Sequence, residues 1–163
     1  MRLIIPFILL VACYPILLPQ SLPYSECTWF RTNECIPQGV CFDRYLKAEK
    51  DPALADLDKT HFENMVRAVV KRMNLAQNVN GFLKLKIIFS IDGSLCLYKL
   101  GTHQIELDSQ KISLWTNLIN SSGQVLPGRQ KDLIVNCEGI LYIAIVEGIM
   151  EFYRNFNFRF KDD

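Results

Sequence analysis

The sequence lacks the motifs by which most enzymes are recognised. It has no G-x-S-x-G nucleophile elbow, no P-loop and no glycine-rich dinucleotide motif, and its 163 residues include only two histidines, His61 and His103. A serine hydrolase needs a base beside an exposed serine, and a nucleotide enzyme needs a loop that holds phosphate. No C-x-x-C motif is present either, although a thiol enzyme that pairs a cysteine with one of the histidines stays open. We therefore expect no catalytic residues and no cofactor.

An excess of charge of either sign is also absent. The formal charge is +1, and the basic residues are interspersed with acids and hydrophobic residues. A duplex-binding protein needs a basic face that displaces counterions from phosphates, so we expect no nucleic-acid partner. Half of the residues are hydrophobic, which excludes a disordered chain. The length is typical of one domain behind an export segment.

The one long apolar run lies at the amino terminus. A single arginine, Arg2, precedes an apolar stretch over residues 3–18 that Pro6 and Pro15 interrupt. A short positive segment followed by such a run is typical of an export signal. The run is shorter than the roughly 20 residues that span a bilayer, and its prolines disfavour a spanning helix. We assign residues 1–22 to an export signal, which predicts a protein of the cell envelope or periplasm, or alternatively a secreted one.

Within this run, Leu10-Val11-Ala12-Cys13 resembles the bacterial lipobox. In that motif a small residue precedes a cysteine whose thiol accepts the lipid and which becomes the first mature residue. Acyl chains on Cys13 would attach the protein to a membrane. Ordinary signal cleavage near Ser21 or Ser25 is the alternative, although no Ala-x-Ala site is present.

Residues 23–57 form a proline-punctuated lead-in that contains three cysteines. Crowded cysteines suit an oxidising compartment, and a disulfide would stabilise a stretch that builds little core. The spacing C-x7-C-x5-C lacks the close pair of a zinc knuckle, so we expect no metal site. Because the number of cysteines behind Cys13 is odd, at least one thiol stays unpaired. The disulfide candidates are Cys27, Cys35, Cys41, Cys96 and Cys137.

We predict that the folded domain spans residues 58–160 and begins with a helix. Thr60-His61-Phe62-Glu63 has the form of a capping box, and apolar residues at helical spacing continue to about Ala76. Alternating residues 83–91 predict a strand with one buried face. Asp92-Gly93 then predicts a two-residue hairpin turn before a returning strand over residues 94–100.

The second half of the domain is predicted to contain another helix and further strands. Asp108 or Ser109 caps a helix that ends near Asn120. Residues 133–135 and 140–146 predict two strands around a Glu138-Gly139 turn, and regularly spaced aromatics predict a final strand. The predicted fold is α+β, a single small antiparallel sheet with two packed helices. The aromatics of the final strand are Phe152, Phe156, Phe158 and Phe160.

This order of elements resembles the carboxy-terminal domain of the TonB family, in particular small TonB-like proteins of the Bacteroidetes type. The segments that carry the resemblance are Leu83–Ser94, with its strand, Asp-Gly and strand, and Val125–Gln130, within a region from Thr60 to Tyr153. No tryptophan precedes Pro127, which departs from the family pattern. The resemblance implies binding of a peptide as an added strand at a sheet edge. The family's force-transmitting role needs a membrane anchor and a long Pro-rich linker, so we expect the fold without that role.

The resulting expectation is an exported, membrane-attached and non-catalytic protein-binding module. Its partner would be another envelope protein, bound along a sheet edge that one of the last strands provides. The alternatives are a secreted disulfide-containing factor or inhibitor and a small thiol-dependent enzyme. Asn120-Ser121-Ser122 is a glycosylation sequon, which would be used only if the protein is eukaryotic.

Overall fold

A computed structural model of the chain describes residues 27–32, 51–131 and 133–161. Within these ranges the chain forms two helices and nine strands, which confirms the predicted α+β class. In chain order they are β1 (Thr28–Arg31), β2 (Ala53–Leu54), α1 (Lys59–Arg72), β3 (Gly81–Phe89), β4 (Leu95–His103), α2 (Ser109–Asn120), β5 (Val125–Leu126), β6 (Gly128–Gln130), β7 (Leu133–Val135), β8 (Cys137–Val146) and β9 (Ile149–Phe156).

The main sheet has five strands in the order β1-β4-β3-β8-β9, and every neighbouring pair is antiparallel. The central strand β3 pairs along its whole length with β8, from Gly81 opposite Ile145 to Phe89 opposite Cys137. Two small sheets, β2-β5 and β6-β7, lie outside it. Among the described residues, β9 is therefore both the last strand in the sequence and an edge strand of the main sheet.

Both helices pack on one face of the sheet, and the hydrophobic core lies between the helices and the sheet. Alternate residues of β3 supply this face, and residues of β8 continue it, such as Leu141 opposite Leu85. Phe62 and Val66 of α1 and Trp115 of α2 are almost completely buried against it. Burying a large apolar side chain contributes about 1.5–3 kcal/mol, so this layer is the main source of stability. The core residues of β3 are Leu83, Leu85, Ile87 and Phe89.

An aspartate caps the amino-terminal end of each helix. The Asp58 carboxylate accepts the His61 N–H at 2.7 Å, so Asp58 caps α1 and the predicted capping box at Thr60 is wrong. A capping residue needs an extended backbone, and the last extended residue before the helix is Asp58. The helix begins at Lys59, so Thr60 already lies inside its first turn. The Asp108 cap of α2 is confirmed, and its hydrogen bonds from the Lys111 N–H and side chain lower the pKa of the Asp108 carboxyl.

The β3–β4 hairpin forms as predicted, but its turn has three residues rather than two. The Ser90 N–H donates to Ser94 O at 3.0 Å, and the Gly93 N–H donates to Ser90 O at 3.0 Å. Gly93 has φ +83°, so the turn ends on a left-handed residue, a position for which glycine is suited. The Asp92 carboxylate accepts from the Ser94 hydroxyl and N–H, and these bonds lower the pKa of Asp92. Asp92 is therefore a turn residue, as expected.

The predicted Glu138-Gly139 turn is wrong, because both residues lie inside β8. Gly139 pairs with Ile87 of β3, and its α-carbon lies against two phenylalanine rings. A β-carbon at residue 139 would stand 2.6 Å from the Phe89 ring and 2.8 Å from the Phe158 ring. The glycine is therefore explained by close packing and not by a turn.

The final aromatic residues do not share one strand face. β9 ends at Phe156, and Asn157 has φ +64°, which turns the chain back towards the core. Phe158 and Phe160 are buried there, whereas Phe152 and Phe156 remain exposed on β9. The even spacing predicted one strand because a single left-handed residue leaves no signature in the hydrophobic pattern.

Part of the predicted lead-in belongs to the folded structure. β1 pairs with β4, with Thr28 opposite Thr102, and β2 pairs with β5, with Ala53 opposite Leu126. Both strands are short, and their partners are about 70 residues away along the chain, so local sequence patterns do not reveal the pairing. The remainder of the predicted lead-in, and the whole predicted export signal, lie outside the described residues.

We predict that Gly139→Ala lowers the free energy of unfolding by about 1–3 kcal/mol, because the added methyl group has no space between the two rings. Denaturant unfolding of the wild type and the variant measures the change. Trimming one ring with Phe89→Leu should recover part of the loss in a double-mutant cycle. An unchanged unfolding midpoint in Gly139→Ala would contradict this packing.

Candidate functional site

The candidate site is the outer edge of β9. Among the described strands β9 pairs only with β8, so its other edge has no partner within those ranges. An edge strand presents backbone N–H and C=O groups that can pair with another chain. The register shifts between Ala144 and Ile145, which leaves Glu151 as an extra residue in β9. The regular part of the edge is therefore residues 152–156.

One end of this edge is already engaged by α1. The Arg67 guanidinium donates from Nη1 to the Met150 carbonyl at 3.0 Å and from Nε and Nη2 to Glu63 Oε1. The bulge at Glu151 and this Arg67 contact both disrupt pairing near the start of the strand. A further strand would accordingly pair from Phe152 onwards.

Exposed apolar side chains accompany the edge. Ile149 is 66% exposed at the start of β9 although it is a large aliphatic residue. Native edge strands are usually protected by charges or by a covering element, so exposed hydrophobic residues beside an edge mark an interaction surface. Among the described residues, the large hydrophobic side chains exposed on the β8–β9 hairpin are Val146, Ile149, Phe152 and Phe156.

A row of rings crosses the sheet on the face opposite the helices and ends at β9. His103 of β4 stacks on Phe82 of β3 with centroids 5.1 Å apart, and Phe82 stacks on Tyr142 of β8, also at 5.1 Å. Tyr142 lies 6.3 Å from Phe152 of β9. Burial, with a smaller contribution from Cys27, raises the pKa of the Tyr142 hydroxyl. The row fixes the position of Phe152, because each ring restricts its neighbour.

Charged groups on this second face are paired or stacked. Lys86 forms a salt bridge with Glu138 at 3.1 Å and lies 5.8 Å from the centre of the Trp29 ring. On the edge strand, the Arg154 guanidinium lies 5.3 Å from the centre of the Phe156 ring. The Phe156 ring at the edge is thus partly covered by a cation of its own strand, a weak but favourable contact.

The turn that creates the edge was not predicted from the sequence. Glu147 and Gly148 have φ angles of +52° and +75°, and two positive values in succession are typical of the type I′ turn of a two-residue hairpin. The Gly148 N–H donates to Val79 O at 2.9 Å, and the Glu147 N–H donates to Asn80 Oδ1 at 3.0 Å. A glycine after a polar residue between two apolar strands was the available signal.

Three of the five disulfide candidates lie in the described residues, and they differ in burial. Cys27 precedes β1 and is partly exposed, whereas Cys96 and Cys137 are buried in the sheet. No disulfide joins these three cysteines to one another. Burial raises the pKa of the Cys137 thiol, which disfavours its thiolate form. Cys13, Cys35 and Cys41 lie outside the described residues, and the predictions for them remain untested.

The other predicted positions do not converge on a site. Asn120 is exposed and is the last residue of α2, which agrees with the predicted helix end near Asn120. His61 is exposed in the first turn of α1, and His103 lies in the ring row of the sheet. In the part of the chain that the structure describes, no three His, Cys, Asp or Glu residues are grouped to hold a metal ion. Neither α1 nor α2 has the length and apolar character that crossing a bilayer requires.

Comparisons of the chain with protein-family models, with curated proteins and with solved structures find no match. The resemblance to the TonB carboxy-terminal domain therefore stays a prediction from the sequence.

Proposed function

We propose that this chain is a non-catalytic protein-binding module of the cell envelope that pairs an extended segment of another envelope protein along the outer edge of β9. The observation that carries the proposal is the combination of an edge strand with exposed apolar side chains on the same hairpin. The backbone of the edge supplies hydrogen bonds, and the side chains on either face supply selectivity.

The position of β9 in the fold suits this task. Tyr153 points to the helix face, where its ring meets Phe62 and Phe160, while Phe152 belongs to the ring row on the second face. The strand is thus held from both faces. A rigid edge loses little conformational entropy when a partner strand binds, and this favours affinity.

The resemblance in sequence supports the same proposal. The helix, the hairpin with its Asp-Gly turn, the second helix and the following strands occur in the structure in the order on which the resemblance rests. A TonB-like domain would bind its partner as an added strand. We propose the same mode of binding for this chain, but not the force-transmitting role.

We expect proline at a position of the edge whose N–H faces outwards to abolish partner binding without unfolding the domain. Arg154 and Asn155 are neighbours in β9, so the N–H groups at these two positions face opposite edges of the strand. One of the variants Arg154→Pro and Asn155→Pro should therefore unfold by breaking the ladder with β8, and the other should fold but fail to retain partner protein from an envelope extract.

Matched variants separate the backbone from the side chains. Arg154→Ala and Asn155→Ala remove the same side chains, including the Asn155 amide that donates to Phe158 O, but keep the N–H groups. They should retain more of the partner than the folded proline variant does. Equal retention by wild type and the folded proline variant, measured by quantitative pull-down, would exclude binding through this edge.

Attachment to the membrane is the second part of the proposal and depends on Cys13. Lipidation would make diacylglyceryl-Cys13 the first mature residue, so the native protein should partition into detergent and its intact mass should correspond to that species. A mature protein that begins near residues 22–26 would show ordinary secretion instead. A glycan on Asn120 would favour the secreted factor or inhibitor over an envelope lipoprotein.

A further inference from the structure

An open groove lies between α1 and the start of β9. Its volume is about 400 Å³, which is within the range of roughly 300–1,000 Å³ typical of ligand pockets. The floor is apolar, because Val70 of α1 and Met150 of β9 are both almost fully buried there. The residues that line it are Arg67, Val70, Lys71, Asn74, Leu75, Gly148, Ile149 and Met150.

The rim of the groove is cationic and polar. Arg67 is bound to Glu63 and to the Met150 carbonyl, so its donors are largely used. Lys71 forms no ion pair with any residue of the described ranges, and Asn74 lines the same groove. None of the described lining residues is acidic. The groove therefore offers one uncommitted positive charge and one amide next to an apolar floor.

The groove is continuous with the proposed binding edge. Ile149 and Met150 line the groove and are the first residues of β9, and the regular part of the edge, residues 152–156, begins just beyond the bulge at Glu151. A segment paired along residues 152–156 would reach the groove with one of its ends. The exposed Ile149 side chain would then lie beside that end, where burial of its apolar surface would contribute to binding.

We propose that this groove binds an apolar side chain and a carboxylate of the segment that pairs along β9, with Lys71 as the counter-charge. The inference rests on the proposed function of the edge. An apolar side chain fits over Val70 and Met150, and a carboxylate accepts hydrogen bonds from the Lys71 ammonium and the Asn74 amide. The carboxylate is either an Asp or Glu side chain or the carboxyl terminus of the segment.

Lys71 also has a structural role that the test must separate from binding. Lys71 and Arg72 both lie in the last turn of α1, where cations interact favourably with the helix dipole. Only Lys71 lines the groove. Arg72→Glu is therefore the matched control for Lys71→Glu, because both make the same change of charge in the same helical turn.

The experiment uses the full chain as bait for a library of random peptides of about twelve residues, displayed with either free or amidated carboxyl termini. We expect selection of peptides with an apolar residue beside an acidic one, or beside a free carboxyl terminus, and the two libraries distinguish these sources. Lys71→Glu should weaken binding of the selected peptides about five- to tenfold and shift selection towards Lys and Arg, whereas Arg72→Glu should change affinity less than about twofold.

The outcomes separate this inference from the proposed function. The groove proposal would be overturned if the selected peptides show no preference for a carboxylate and bind Lys71→Glu as they bind wild type. If the same peptides lose binding to the folded proline variant of β9, the proposed function of the edge would still stand. Equal weakening by Lys71→Glu and Arg72→Glu would show a general charge effect and also overturn it. Selected peptides that are indifferent to the β9 proline variant, or no selection at all, would contradict the proposed function itself.

Discussion

The docking of the β8–β9 turn on the connection between α1 and β3 determines where the candidate site lies. The Gly148 N–H donates to Val79 O, and a β-carbon on Gly148 would stand 2.6 Å from the Ala76 carbonyl oxygen. Only a glycine with positive φ fits so close to another backbone. Because the turn is held there, β9 returns beside β8 as the last strand, and its first residues form one wall of the groove under α1.

The rest of the fold makes this edge rigid. The helix layer covers one face of the sheet, and the ring row from His103 to Phe152 holds the other face. Gly139 lets Phe89 and Phe158 meet across β8, so the segment after β9 folds back onto the core. A partner strand would therefore meet a preformed surface, and little of its binding free energy would be lost in ordering this chain.

Much of the fold could be predicted from local patterns, whereas for the site the sequence predicted only a sheet edge provided by one of the last strands. The 3.6-residue period gave α1 and α2, and alternation gave β3, because one buried face leaves a regular signal. Gly139 was assigned to a turn because packing against distant rings has no local signature. Which of the last strands ends the sheet depends on pairing order, so the sequence alone did not single out β9. The groove was missed because Lys71 and Asn74 lie some 75 residues from Ile149 along the chain.

Hydrogen exchange of the backbone amides of the full chain tests the central claim most directly. If the outer edge of β9 is open, every second amide between Phe152 and Phe156 exchanges rapidly while its neighbours, bonded to β8, are protected. The amides of β8 should be protected without alternation, because β8 has strands on both sides. Uniform protection along residues 152–156 would show that the edge is already paired within the chain, and would contradict a binding edge on β9.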